Sequence, residues 1–338
     1  MKKSIFVAIL CSLCFHTSFA QGWNREQLVK AREHINVPAY SLSYMALLEN
    51  ADNLLNKKPL SVMMKKRIAA SGNKHDYLSQ ARYFWPNPKS PNGLPYISLD
   101  GKSNPELNEL DRNKLGAMSE NVSTLTLAWF MSGKNVYAQK AAEQIRVWFL
   151  DKETCMNPHF KYAQIVRGEN NDIGRSYGLI DGYSFVEMLD AVKLLEESGS
   201  LQKSEINELK KWFSKLLDWY INSPQGKAEA KAVNNHSLAY HVQLTAFALF
   251  CDRNVLADKL INDFPKTRMF KQIEPDGKQP QELRRTLAFG YSEFNIRHMI
   301  DMFQLAAKRN IRIDNLVSKD GRSFYKAVDF LVPYLGKS

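Results

Sequence analysis

Asn234-Asn235-His236-Ser237-Leu238-Ala239-Tyr240-His241-Val242-Gln243-Leu244-Thr245-Ala246-Phe247-Ala248-Leu249-Phe250 is the stretch that decides the architecture. From Leu238 onward apolar residues recur at three-and-four spacing, and the polar Asn234-Asn235-His236 stands where helix caps stand. The same period returns near 40–56, 120–131, 135–149, 178–197, 204–221, 254–263, 288–307 and 322–335, while strand-like alternation is scarce. Loops such as Ser132-Gly133-Lys134-Asn135 and Asn222-Ser223-Pro224-Gln225-Gly226 punctuate these segments. The pattern predicts an all-α fold of antiparallel helical pairs, a bundle or an α/α toroid. No repeat of fixed period is visible, so a solenoid is not expected.

The N-terminus predicts the compartment. Lys2 and Lys3 precede an apolar run from Ile5 to Leu13, and Ser18-Phe19-Ala20 supplies a small-x-small cleavage site. Residues 1–20 therefore read as a secretory signal peptide cleaved near Ala20, leaving 21–338 as one domain in the periplasm or outside the cell. Cys11 and Cys14 follow leucines rather than small residues, which argues against lipidation. No later stretch approaches about 20 uninterrupted apolar residues, so stable membrane insertion is not expected. Cys155 and Cys251 remain after the leader; an oxidising compartment permits a disulfide, and two free thiols are the favoured expectation. No C-x-x-C, H-E-x-x-H or acidic calcium loop is present, so neither metal nor cofactor is expected.

The formal net charge is +11, with Lys2 and Lys3 of the leader accounting for two of those charges. Such an excess suits an anionic partner. Nucleic acid fits poorly with an exported chain whose basic runs never exceed three residues, and an acidic polysaccharide fits better. A monomer is expected.

Two regions hold the polar residues of interest. Asn234 and Asn235 sit at a helix N-terminus, where backbone donors and the helix dipole would receive a carboxylate together with the Asn235 side chain. The plainer reading is a cap with a buried His236 beside it. Downstream, Asp276-Gly277-Lys278-Gln279-Pro280 reads as a turn leading through Glu282 into a helix that carries Tyr291. Arg284 and Arg285 are consecutive, so at most one shares a cleft with Tyr291; alone, Tyr291 reads as core. The segment from Tyr83 to Glu109 is the longest non-helical part, and its Tyr83, Phe84, Trp85 and Tyr96 point to a loop pinned near a cleft.

These segments together resemble the alginate lyase superfamily, the helical-barrel polysaccharide lyases of families 5, 17 and 38. The resemblance rests on Asn234 to His236, on Asp276 to Thr286, and on Tyr291 to Asn295. It also rests on Tyr83 to Pro88, Gly93 to Tyr96, Asp100-Gly101, Asn104 to Glu106, Gly174-Arg175 and Gly178 to Asp181. It implies an incomplete (α/α) toroid or barrel in a single domain, acting on alginate or a related uronan such as glucuronan by metal-independent β-elimination. It further implies catalytic roles for Asn235, His236, Arg285 and Tyr291. Asn235, helped by His236 or Arg285, would neutralise the C6 carboxylate so that the C5 proton becomes removable. Tyr291 would protonate the departing O4, and would also take the proton when both lie on one face of the ring. His236 would be the base for the opposite epimer. Base work by a phenol needs its pKa lowered, here by Arg285. Similar lyases place the arginine six or seven residues before the tyrosine, so Arg284 stays as the alternative. The C-terminal β-sandwich of family 17 is not expected here, so acid and base are both expected from the barrel.

Substrate contacts are expected from Asn234, Arg284, Tyr83, Trp85, Asn171, Arg175 and Tyr240, the last because it stands four residues after His236 on its helix. Two other classes compete. An α/α-toroid glycoside hydrolase would need two carboxylates, and Asp172 with Asp181 is the tempting pair. A non-catalytic acidic-polysaccharide-binding protein would not need the phenol.

Overall fold

The structure, a computed structural model, describes residues 22–336. The expected leader lies outside them. Helices α1 (Arg25–Glu33) and α2 (Pro38–Leu55) come first, followed by α3 (Asp111–Ser132) and α4 (Asn135–Ile145). Gly133 ends α3 with φ 73°, its N–H bonding back to the Trp129 carbonyl at 2.7 Å. Glycine adopts that left-handed cap without a side-chain clash, and the chain reverses at once into α4.

The second half is built from α5 (Phe185–Leu195), α6 (Lys203–Asn222), α7 (Pro224–Glu229), α8 (Asn235–Phe250) and α9 (Asn254–Phe264). It closes with α10 (Pro280–Leu283), α11 (Ala288–Ala307) and α12 (Phe324–Leu331). Consecutive helices joined by short turns pack side by side, as α3 with α4 and α8 with α9, which gives the helical toroid expected from the periodicity. Strands are minor. β1 (Leu78–Gln80) pairs in parallel with β4 (Tyr162–Ile165), Leu78 opposite Tyr162. β2 (Phe84–Trp85) pairs antiparallel with β3 (Ile97–Ser98), Phe84 opposite Ser98.

Helix α8 is the axis of the fold. It packs on α5, α6, α9 and α11, and every residue from Ser237 to Ala248 is buried. A helix with no polar face has to be enclosed on all sides. Its polar side chains are satisfied from within: the His241 ring bonds the Leu260 carbonyl at 2.8 Å and accepts from Arg268 Nε at 3.3 Å, and Thr245 donates to the His241 carbonyl at 2.9 Å. Burial holds the His241 imidazole down to about 4. Around α8, edge-on aromatic contacts such as Phe149 with Trp212 at 4.8 Å and Phe185 with Phe213 at 5.5 Å fill the core, each contributing about 1 kcal/mol beyond its buried area. Cys155 and Cys251 are both free and half-buried.

Two expectations shift. The helix expected over 178–197 begins as a 3-10 segment, Ser176–Ser184, before α5. The cause is close approach: a Cβ on Gly178 would lie 2.4 Å from the Ala163 carbonyl oxygen, so the chain is pressed onto β4 before it can wind regularly. Helix α1 was not anticipated, because it buries no residue and so shows no core-facing period.

Candidate active site

The first half of the site is built where α6, α7 and α8 meet. Ser223 caps α7 by accepting from Gly226 N at 3.0 Å. Gly226 lets α7 lie on the end of α6, since a Cβ there would come within 1.6 Å of the Tyr220 carbonyl oxygen. The result is that Glu229, the last residue of α7 and 1% exposed, sits with Oε1 2.7 Å from His236 Nδ1. A carboxylate only accepts, so as donor in this bond His236 carries a proton on Nδ1; in the neutral ring that tautomer has its lone pair on Nε2. Asn234 caps α8 through its Oδ1, which accepts from His236 N at 3.3 Å. The Tyr177 ring lies 4.8 Å from the imidazole, and the Arg175 guanidinium sits between Tyr177 and Phe84 at 5.2 and 4.9 Å from the two rings. Arg175 Nε is buried with no hydrogen-bond partner.

The start of α8 corrects one expectation. The helix end predicted to receive a substrate carboxylate already holds Glu282, whose Oε1 accepts from Asn235 N and whose Oε2 accepts from Asn235 Nδ2, both at 2.7 Å. Glu282 is 1% exposed, and burial raises its carboxyl while the two bonds from Asn235 act against the rise. Asn235 keeps one amide hydrogen beyond this clamp.

The second half follows Glu282 along the chain. Arg285 Nη2 donates to the Tyr291 hydroxyl at 2.8 Å, with the guanidinium 4.0 Å from the ring centre. The hydroxyl of Tyr83, from the long loop, stands 3.4 Å from that of Tyr291. Asp100 holds Arg285 and Thr286, each at 3.4 Å. Arg284 is exposed and outside this group. Burial, with the Tyr83 hydroxyl second, pushes the Tyr291 phenol up to about 12, and Arg285 only moderates the rise. The expected lowering toward neutrality is therefore absent: desolvation outweighs the cation, and the phenol keeps its proton. Glu282 joins the two halves: its carboxylate accepts from Asn235 and its carbonyl accepts from Arg285 N at 3.1 Å.

The other predicted residues divide. Trp85 donates Nε1–H to the Lys102 carbonyl at 2.9 Å and pins the long loop. Asn171 is exposed in a left-handed run, Asn170, Asn171 and Asp172 at φ 49°, 51° and 54°; Asp172 Oδ1 accepts from Gly168 N at 3.0 Å and holds the turn. Tyr240 is a correction. It is 4% exposed, stacks on Tyr220 and donates to the Tyr220 carbonyl at 2.9 Å, so it belongs to the core. Four-residue spacing put it on the side of His236, but α8 has no solvent side. Asp181, half of the hydrolase pair, is buried and bonded by Tyr77, Ser79 and Gln164, with Arg112 at 3.4 Å. Both of its oxygens are thus engaged by the protein itself. Glu229 was missed, and the signal available was an acidic residue seven positions before His236 in a Pro-started segment. Among the described residues no group of three His, Cys, Asp or Glu is placed to hold a metal ion.

The chain has relatives among known proteins. The family described as Alginate lyase matches residues 61–338. The crystal structure of an alginate lyase from Bacteroides ovatus is 49% identical, with a TM-score of 0.92 over 95% of this chain and 85% of that one. Alginate lyase A1-III from Sphingomonas species A1 is 13% identical, with a TM-score of 0.51 over 86% of this chain and 77% of that one. A variant of A1-III complexed with tetrasaccharide is 14% identical, with a TM-score of 0.54 over 86% and 76% of the two chains. These two similarities show the fold alone. No curated protein matches the chain. With most of its length matched by the family and half its residues shared with a solved member, the chain belongs to the alginate lyase family of polysaccharide lyases.

Proposed function

We propose that this enzyme cleaves 1,4-linked uronic acid polymers, alginate first and glucuronan-like chains second, by metal-independent β-elimination outside the cytoplasm. The observation that carries the reading is the division of labour between His236 and Tyr291. His236 is bound at Nδ1 by Glu229 and keeps Nε2 for the C5 proton. Tyr291 keeps its proton and is held by Arg285 at 2.8 Å. As Nε2 takes the C5 proton, the C5–H electrons move into the C6 carboxylate. The remaining Asn235 amide hydrogen and the Arg285 and Arg175 cations stabilise the resulting dianion-like group. Collapse of that intermediate forms the C4–C5 double bond and expels O4, which takes the Tyr291 proton. The product carries a 4,5-unsaturated uronate at its new non-reducing end. A base and an acid on different residues suit linkages whose C5 proton and O4 lie on opposite faces, as in guluronate.

The exported location accords with the leader-like N-terminus, and the substrate class with the net charge of +9 that remains when Lys2 and Lys3 leave with it (44 basic against 35 acidic residues). The test is ultraviolet absorbance of the conjugated double bond on polyguluronate, polymannuronate and glucuronan, with and without a chelator. Absorbance should rise on polyguluronate and be unaffected by chelation. Release of reducing ends without absorbance would replace the lyase reading by a hydrolase, and a strong chelator effect would overturn metal independence.

A further inference from the structure

We propose that Glu282 is a positioning residue: as the resident anion of the α8 N-terminus it turns the Asn235 amide toward the substrate and keeps the substrate carboxylate off the helix end. The role in turnover rests on the lyase reading above; the geometry does not.

The first backbone N–H groups of a helix have no partners within it and attract anions. In α8 they are taken. Asn235 N bonds Glu282, His236 N bonds Asn234 Oδ1 and Ser237 N bonds the Asn234 carbonyl at 3.0 Å. A substrate carboxylate therefore finds no free donor there and must be met by side chains. The clamp also fixes the Asn235 side chain, because two acceptor oxygens meet two donors of one residue at 2.7 Å each. Only the NH2 edge of the amide can face a carboxylate, so its orientation is set.

Glu282 is itself held. Its carbonyl accepts from Arg285 N at 3.1 Å, and Gln279, at the start of the same short helix, ties α10 to α11 by donating to the Ser292 carbonyl at 3.2 Å and accepting from Asn295 at 2.7 Å. One segment thus orients Asn235 through its carboxylate and starts the turn that carries Arg285 to Tyr291. A buried carboxylate is weak evidence for a contribution to stability, because apolar replacements of buried charges are often neutral or better. Orientation is the function that the two short bonds serve.

The test combines hydrogen exchange with a double-mutant cycle in the full-length mature chain. The Asn235 backbone amide should exchange slowly in the wild type and at least about tenfold faster in Glu282→Gln, whose new amide cannot accept from both donors. In turnover of polyguluronate, Glu282→Gln should lower kcat by about 10–100-fold with KM within about threefold. The double variant with Asn235→Ala should be no slower, within about twofold, than Asn235→Ala alone. Should Glu282→Gln fail to fold, Glu282→Asp retains the charge one methylene short and enters the same cycle. Losses that multiply in the cycle overturn the inference, as does a fast-exchanging Asn235 amide in the wild type. A wild type inactive on every uronan overturns the lyase reading instead, and exchange then decides the positioning claim by itself.

Discussion

The two halves of the site are held in opposite ways. Asn235 and His236 are gripped at 2.7 Å by Glu282 and Glu229, two carboxylates that are each 1% exposed. Arg285 and Tyr291 are steadied by Asp100, whose side chain is 46% exposed, and by Tyr83, both at 3.4 Å. Short charge-assisted bonds away from water fix geometry, whereas long exposed ones contribute little. In the proposed reaction, the half assigned to the C5 proton is preset by the core, and the half assigned to protonating O4 is completed nearer the surface.

The contrast can be broken at several points, taken from the largest expected effect down. Tyr291→Phe removes the transferable proton and should lower kcat by about 10³-fold while KM stays within about threefold, followed by absorbance kinetics and polymer binding. A retained kcat would move the acid elsewhere. Next is the buried half's response to acid. His241, five residues past His236 in α8, has a folded pKa of about 4 against 6.5 when unfolded. As pH drops through that window the unfolded chain gains a proton that the native state refuses, so stability falls between about 6.5 and about 4 and is unaffected above it. The loss is of order 3 kcal/mol at most, read by urea titration at several pH values, and His241→Gln should flatten the slope. Glu229→Gln should lower kcat by about 10²-fold, because an amide can donate to Nδ1 and shift the proton to Nε2; nitrogen-15 NMR of the imidazole reports the change. The smallest effect belongs to the exposed half: Asp100→Ala should change kcat by less than about threefold, in keeping with a surface ion pair. A large loss there would show that the surface half is as preset as the buried one.

The sequence made some of this legible and hid the rest for physical reasons. Helix α8 was readable because its apolar residues recur without a break, and Asn234 marks its start by a cap that depends on local chemistry alone. Arg285 and Tyr291 share one turn and the next helix, so their meeting follows from chain geometry. Asn235 and Glu282 lie 47 residues apart, and nothing local announces that the carboxylate would fill the helix end. Helices α7 and α10 are too short to show a period. Tyr240 misled because helical spacing gives a direction but not what lies along it, and Tyr220 lies there. The phenol's raised pKa was hidden for a related reason: desolvation depends on the packing around Tyr291, which no motif records.

The paired carboxylates also offer a way to sort genes. A chain of this fold that keeps Asn-His at the α8 start but lacks the acidic residue seven positions upstream or the one 47 downstream would retain the shape of the cleft. Its imidazole would have no fixed tautomer and its amide no fixed edge. Among paralogues in one genome, that combination should mark polysaccharide-capturing proteins that have lost turnover, separable from true lyases by two letters of sequence before any substrate is tried.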